Sequence, residues 1–156
     1  MYMRFINLVF CMVLALGFAG CSNKDKDKEQ RCSTALEDDA IMQKYIAANG
    51  VTAVKHESGL YYEIIEPGTG ATPTINSTVK VNYTGKFTDN KTFDQGVTSF
   101  PLNGVIEGWQ KGIPLIKQGG KIKLIIPPYL GYGCYDYSRI PGNSVLAFDV
   151  ELLEVQ

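Results

Sequence analysis

The apolar positions of this chain change period along its length. From Phe5 to Phe18 they form a nearly continuous run. Leu36, Ala40, Ile41, Tyr45 and Ala48 then recur at helical spacing, which predicts a helix over roughly 35–48. Thr34-Ala35-Leu36-Glu37 is a capping box, in which hydroxyl and carboxylate each take an orphan amide, and Asn49-Gly50 supplies the stop. At roughly 14 residues such a helix is marginal alone, so it is expected to pack on the domain or a partner.

From Ser58 the period becomes two. Residues 60–66 read as a strand closed by Pro67-Gly68-Thr69-Gly70. In 78–87, Val79, Val81 and Tyr83 share one face, while Lys80, Asn82 and Thr84 share the other. Thr88-Asp89-Asn90-Lys91 is a turn, and Thr92-Phe93-Asp94 pairs back across it. Residues 99–102 are a short edge segment, as Pro101 requires. Residues 121–126 form another strand, ended by Pro127-Pro128. A long loop, 129–143, precedes the last strand, 144–155, whose Leu146, Phe148, Val150 and Leu152 share a face.

Between these strands lies Val105-Ile106-Glu107-Gly108-Trp109, which holds the only tryptophan. Gly108, Gly112 and Pro114 allow one or two helical turns here. Only this short helix separates long strands, so parallel crossovers are scarce. The fold class is α+β: an antiparallel half-barrel sheet wrapped round one short helix, with an added N-terminal helix. Trp109 would then lie at the bottom of an aromatic hollow, though on this stretch alone a plain core indole fits as well.

Composition narrows the function. Hydrophobic residues make up 45% and charged residues 20%, ordinary for one globular domain. A net charge of −1 gives no basic excess, so nucleic acid is not an expected partner. One histidine and four scattered cysteines, without Cys-x-x-Cys or a His pair, argue against a metal site. No Ser/His/Asp constellation suggests a hydrolase. His56 has no obvious partner and is expected at the surface.

Residues 1–20 read as a targeting segment, with Arg4 its sole charge and an apolar run too short to span a membrane. It ends Gly17-Phe18-Ala19-Gly20-Cys21-Ser22, which resembles the bacterial lipobox. That resemblance implies cleavage before Cys21 and acylation of its thiol; the alternative is an ordinary secretory signal that contains a cysteine. Residues 21–33 are a charged tether, 34–57 a helix and linker, and 58–156 the main domain. Stretches like this tether follow the lipid cysteine in lipoproteins of the Bacteroidetes. The expected location is the bacterial cell envelope, lipid-anchored, at the outer membrane on its periplasmic side or surface.

Val81-Asn82-Tyr83-Thr84-Gly85, Phe93-Asp94, Val105-Ile106-Glu107-Gly108-Trp109, Tyr132-Gly133 and Phe148-Asp149-Val150-Glu151-Leu152 occur in that order. Each is weak alone; together they resemble the FKBP-type peptidyl-prolyl isomerase domain over about 58–156. The resemblance implies a hydrophobic pocket between sheet and short helix, with Trp109 as floor. Phe93, Phe100, Val105 and Phe148 would line it beside Tyr83, Ile106 and Tyr132, and Ile140 would cover one rim. Asp94 would be the one carboxylate at the wall, against the plainer reading that it caps its turn. The Ile106 amide and the Tyr132 hydroxyl would point at the carbonyls flanking a substrate proline. Tyr83, Asp94, Ile106 and Tyr132 are thus the implied catalytic set, with no metal and no cofactor.

That family's reaction is peptidyl-prolyl cis-trans isomerisation, here of X-Pro bonds in exported proteins. The alternative is a membrane-anchored chaperone module that binds proline segments with little turnover. A third reading makes 35–48 a dimerisation arm. The chain departs from small cytosolic members in two places. Gln95-Gly96-Val97-Thr98-Ser99 is shorter there and lacks a basic residue, and loop 134–143 replaces a mostly aliphatic rim with Tyr135, Asp136, Tyr137 and Arg139. The altered rim bears on macrolide binding and substrate preference more than on proline binding. Cys32 and Cys134 would be the two remaining thiols of the processed chain. They are open to an intramolecular disulfide, to staying unpaired, or to a Cys32 bond between molecules.

Overall fold

The computed structural model of the protein describes residues 31–156, so the expected signal segment, Cys21 and most of the tether lie outside the described residues. Helix α1 spans Ala35–Asn49. Its Thr34 hydroxyl accepts from the Glu37 amide, and the Glu37 carboxylate accepts from the Thr34 amide. Gly50 closes it in the left-handed conformation at φ 61°.

The strands are β1 (Val54–Lys55), β2 (Tyr61–Glu66), β3 (Thr78–Phe87), β4 (Thr92–Pro101), β5 (Lys121–Ile126) and β6 (Leu146–Val155). They form one antiparallel sheet in the order β1-β2-β5-β6-β3-β4. Strand β6 pairs on both sides, with β3 and β5, and so joins the β1-β2-β5 half of the sheet to the β3-β4 half. Helix α2, Glu107–Gly112, continues into a 3-10 turn at Ile113–Leu115 where Pro114 cannot supply an amide.

Period two sets which side chains face α2. Val79 and Val81, Ile122, Leu124 and Ile126, and Leu146, Phe148, Val150 and Leu152 all join the main core with Trp109. On the opposite face α1 covers an apolar patch, where Met42 and Tyr45 pack against Tyr61, Ile125, Val145 and Ala147. The Tyr61 hydroxyl donates to Asp39 and takes an amide hydrogen from Gln43, both on α1.

Three expectations are corrected. The buried face of α1 is Asp38, Met42 and Tyr45, whereas Leu36 is 84% exposed and Ile41 lies at the surface. The expected stripe was offset because methionine and a buried carboxylate sit on the docked side. The two short pieces at 92–94 and 99–102 are one strand, β4, running from Thr92 to Pro101. Its middle, Gln95 to Ser99, keeps the β3 ladder without an alternating pattern because β4 is an edge strand whose side chains lie mostly outside the core. His56 has a partner: its Nδ1 bonds the Ser58 hydroxyl at 2.8 Å and accepts the Ser58 amide at 3.1 Å.

Candidate functional site

A cavity of about 540 Å³ opens between the sheet and α2. The floor follows from how α2 docks. Gly108 and Gly112, one turn apart, face Ile126 and Leu124 so closely that any Cβ there would meet those side chains within 2.6 Å. The absence of side chains seats the helix directly on β5, and Trp109 between them is 6% exposed at the base of the cavity. The indole meets Tyr83 and Phe148 edge to face, at 5.3 and 5.2 Å between centroids, and Phe100 at 5.4 Å. Such contacts each add roughly 0.5–1.5 kcal/mol beyond area burial and lock the rings in place. Phe93 packs edge to face on Phe148 at 5.6 Å and completes the apolar wall.

Polar groups are few and localised. The Tyr83 hydroxyl donates to the Asp94 carboxylate at 2.7 Å, across the β3–β4 pair. Burial, then the Asp94 carboxylate, pushes the Tyr83 hydroxyl up to about 12, so it stays a donor at neutral pH. Burial also raises the Tyr132 hydroxyl, with Tyr137 and Asp94 adding to the shift. Ile106, also in the lining, is the N-cap of α2 and its carbonyl accepts from the Trp109 and Gln110 amides. Its own N–H donates to none of the described backbone carbonyls. Gln110 folds back so that its amide nitrogen donates to the Val105 carbonyl at 2.7 Å, which fixes the turn that presents Ile106. Among the described residues the buried Trp109 Nε1–H has no partner either.

Nine of the ten residues expected at this site line the cavity. The four polar or amide positions, Tyr83, Asp94, Ile106 and Tyr132, are among them, and Phe93, Phe100, Val105, Trp109 and Phe148 supply the apolar surface. Ile140 is the exception. It is 6% exposed within the main core and plugs the base of its loop instead of covering a rim. Tyr137, one of the residues expected on the remodelled rim, lines the cavity, and Thr98 and Gly104 join it without having been singled out. Thr98 on an edge strand and Gly104 in a turn carry no signal of their own, and only the fold brings them to the cavity. Gln110 was missed for a similar reason: its polar type suits an exposed helix position equally well.

Behind the loop, Cys32 and Cys134 are joined, with Cα atoms 4.8 Å apart. They border a separate cavity of about 140 Å³ with Asp38 and Asn143, not the aromatic one. The Asn143 side chain accepts the Ser33 amide and donates to the Arg31 carbonyl, so the loop and the entry to α1 are also hydrogen-bonded. The described residues contain no group of three or more histidine, cysteine, aspartate or glutamate side chains that could hold a metal ion. None of their helices is long and apolar enough to cross a membrane.

A cleft walled by aromatic rings, with a few donors in its lining, suits binding and conformational work on a short peptide. Comparison with known proteins points the same way. Residues 70–153 match the sequence pattern of the family described as FKBP-type peptidyl-prolyl cis-trans isomerase. The FKBP-type peptidyl-prolyl cis-trans isomerase FkpA of Escherichia coli (strain K12) is 44% identical over 139 residues, covering 86% of this chain and 47% of that one. The chain therefore spans about half the length of such relatives. The crystal structure of FkpA from Escherichia coli superposes with a TM-score of 0.70 at 43% identity, covering 78% of this chain and 61% of that one. A peptidyl-prolyl cis-trans isomerase from Pseudomonas syringae gives 0.68 at 27% identity, covering 81% of this chain and 98% of that one.

Proposed function

The chain belongs to the family of FKBP-type peptidyl-prolyl cis-trans isomerases, and from that premise we propose that it catalyses rotation about X-Pro bonds of exported polypeptides. The observation that carries the proposal is the joint presence of an aromatic cavity around Trp109 and, in its lining, Ile106 and Tyr132.

The chemistry asks for little more. Rotation about a peptide bond faces about 18–20 kcal/mol, most of it resonance. X-Pro exchange therefore takes roughly tens to hundreds of seconds unaided. No covalent bond forms or breaks, so neither nucleophile nor cofactor is needed. The pyrrolidine ring packs on the Trp109 indole, out of water. A twisted amide has lost its resonance dipole and is favoured over the planar one in that dry surface. The Ile106 N–H and the Tyr132 hydroxyl hold the carbonyls on either side of the proline, so that rotation is confined to one bond. The Tyr83–Asp94 hydrogen bond keeps the wall rigid and satisfies the carboxylate beside apolar rings. Each factor of ten in rate requires about 1.4 kcal/mol of such selective stabilisation.

The test is a protease-free cis/trans exchange assay on X-Pro peptides with the purified protein. Acceleration that Trp109→Ala and Asp94→Ala both reduce supports the proposal. A folded wild-type protein that binds the peptides without accelerating any of them overturns it in favour of the proline-binding chaperone. The exposed tyrosines of the remodelled rim are the observation that favours that second reading.

The anchor is proposed on sequence alone. Small residues before Cys21 support acylation there and attachment to a membrane, each buried methylene adding about 0.8 kcal/mol. Cys21→Ser should leave unprocessed precursor or soluble protein; a correctly processed variant still in the membrane fraction would exclude this anchor.

A further inference from the structure

We propose that Tyr137, stacked on Tyr132, forms a second aromatic subsite at the mouth of the pocket, which selects an aromatic side chain next to the substrate proline. The inference rests on the proposed peptide-binding role of the same pocket and adds the class of substrate it prefers.

Three observations carry it. The Tyr132 and Tyr137 rings are stacked, with centroids 4.9 Å apart and planes 19° from parallel, and both line the cavity. Tyr137 as a residue is nevertheless 60% exposed, so its stack fills no core. The backbone beneath it is fastened from several sides. Tyr137 and Ile140 exchange both backbone hydrogen bonds at 2.9 Å, across a tight turn with Ser138 at φ 55°. The Ile140 side chain is sunk in the main core. Arg139 donates to the Phe93 carbonyl at 3.1 Å and ties the turn to β4, beside Asp94. The Cys32–Cys134 bond and the Asp136 carboxylate, which accepts the Gly142 amide at 2.9 Å, hold the flanks.

An exposed aromatic ring is usually free to move, and ordering it on binding costs entropy. Here that cost is met within the fold, so the ring offers a rigid flat surface continuous with the proline pocket. A flat partner lies fully against such a surface, whereas a branched aliphatic chain of similar size touches it in part. The subsite therefore discriminates by ring shape more than by hydrophobicity. Tyr132 serves both regions: its hydroxyl belongs to the proline site, and its ring backs Tyr137.

Blocked proline peptides carrying Phe, Leu or Ala next to proline, on the amino side in one series and the carboxyl side in another, provide the probe. Peptides without tryptophan allow binding to be read from Trp109 emission, independently of turnover, alongside kcat/KM from the exchange assay. We expect Phe over Leu by about fivefold at one of the two positions. Tyr137→Phe should keep that ratio, whereas Tyr137→Leu and Tyr137→Ala should bring it close to one. Equal Phe and Leu binding at both positions in the wild type would overturn the subsite, as would a ratio unchanged by Tyr137→Leu. A Phe preference in binding without exchange activity would uphold the subsite while removing the isomerase reading, so the two fail separately.

Discussion

The contact that sets the floor of the pocket can be tested by adding one methyl group. In Gly108→Ala the new Cβ would lie 2.6, 2.7 and 2.9 Å from Ile126 Cγ2, Cδ1 and Cγ1. Carbon atoms rest about 3.5–4.0 Å apart, so about 1 Å must be found. Ile126 is fully buried in β5 and has no open side to move into, so α2 itself must lift. Overpacking of this kind costs about 1–3 kcal/mol. Three simultaneous overlaps with a branched side chain put it near the upper end. Replacing glycine by alanine in a helix returns about 1 kcal/mol. The expected net loss is about 2 kcal/mol, or about 1 M in the urea midpoint for an m-value near 2 kcal/mol per M. Lifting α2 also moves Trp109 and Ile106, and kcat/KM should fall about tenfold or more. The decisive measurement is a double-mutant cycle with Ile126→Ala, which removes all three overlapping atoms. The double variant should be at least about 1 kcal/mol more stable than the sum of the single losses, because the new methyl enters the vacated space. Gly96→Ala on β4, where a Cβ meets nothing within 4 Å, serves as the control. If Gly108→Ala matched the wild type to within about 0.5 kcal/mol, or the cycle were additive, close approach would not be why glycine stands there.

Tyr83→Phe should cost about 1 kcal/mol by removing the bond to Asp94. Because folding raises the Tyr83 hydroxyl to about 12, its contribution is full below about 10 and is lost as pH rises through 12; a difference absorbance titration against Tyr83→Phe that showed a phenol ionising near 10 would contradict this. Asp38 is 1% exposed and burial, opposed by a Ser33 hydrogen bond, raises its carboxyl. Protonated, it favours the folded state, and that advantage fades as pH rises from about 3.9 through its folded value, so Asp38→Asn should gain on the wild type over that window in denaturant unfolding; a pH-independent difference would refute the assignment. Removing the Cys32–Cys134 link with paired serines frees a loop of 102 residues, for which chain entropy sets an upper loss of about 4.7 kcal/mol. Faster hydrogen exchange confined to α1 and 131–143 is the expected signature, and two titratable thiols in the oxidised, denatured wild type would remove its basis.

Whatever depends on local period and on order along the chain was legible in the residues themselves. The alternation Val79-Lys80-Val81-Asn82-Tyr83 and the run Leu146, Phe148, Val150, Leu152 specified strands and their inward faces, because a strand's side chains alternate whatever it pairs with. Thr34-Ala35-Leu36-Glu37 and Gly50 bounded α1 because caps are satisfied within a few residues. The ordered fragments around Tyr83, Asp94, Trp109 and Phe148 implied a pocket only through their resemblance to a known family, and those four residues line the cavity. Tertiary structure decided what depends on distant partners. Which side of α1 docks was settled by Tyr61, Ile125 and Ala147, and of the stripe from Leu36 to Ala48 only Tyr45 lies on that side. The middle of β4 became a strand because β3 lay beside it, not because of its own residues. Gly108 and Gly112 limited a helix when read along the chain; across the fold they turn out to admit Ile126 and Leu124. Ile140 and Tyr137 stand three residues apart in one turn, yet one plugs the core and the other faces the pocket mouth. The physical reason is common to all four: period and capping act within a few residues, whereas close packing is satisfied only by surfaces that the folded chain brings together.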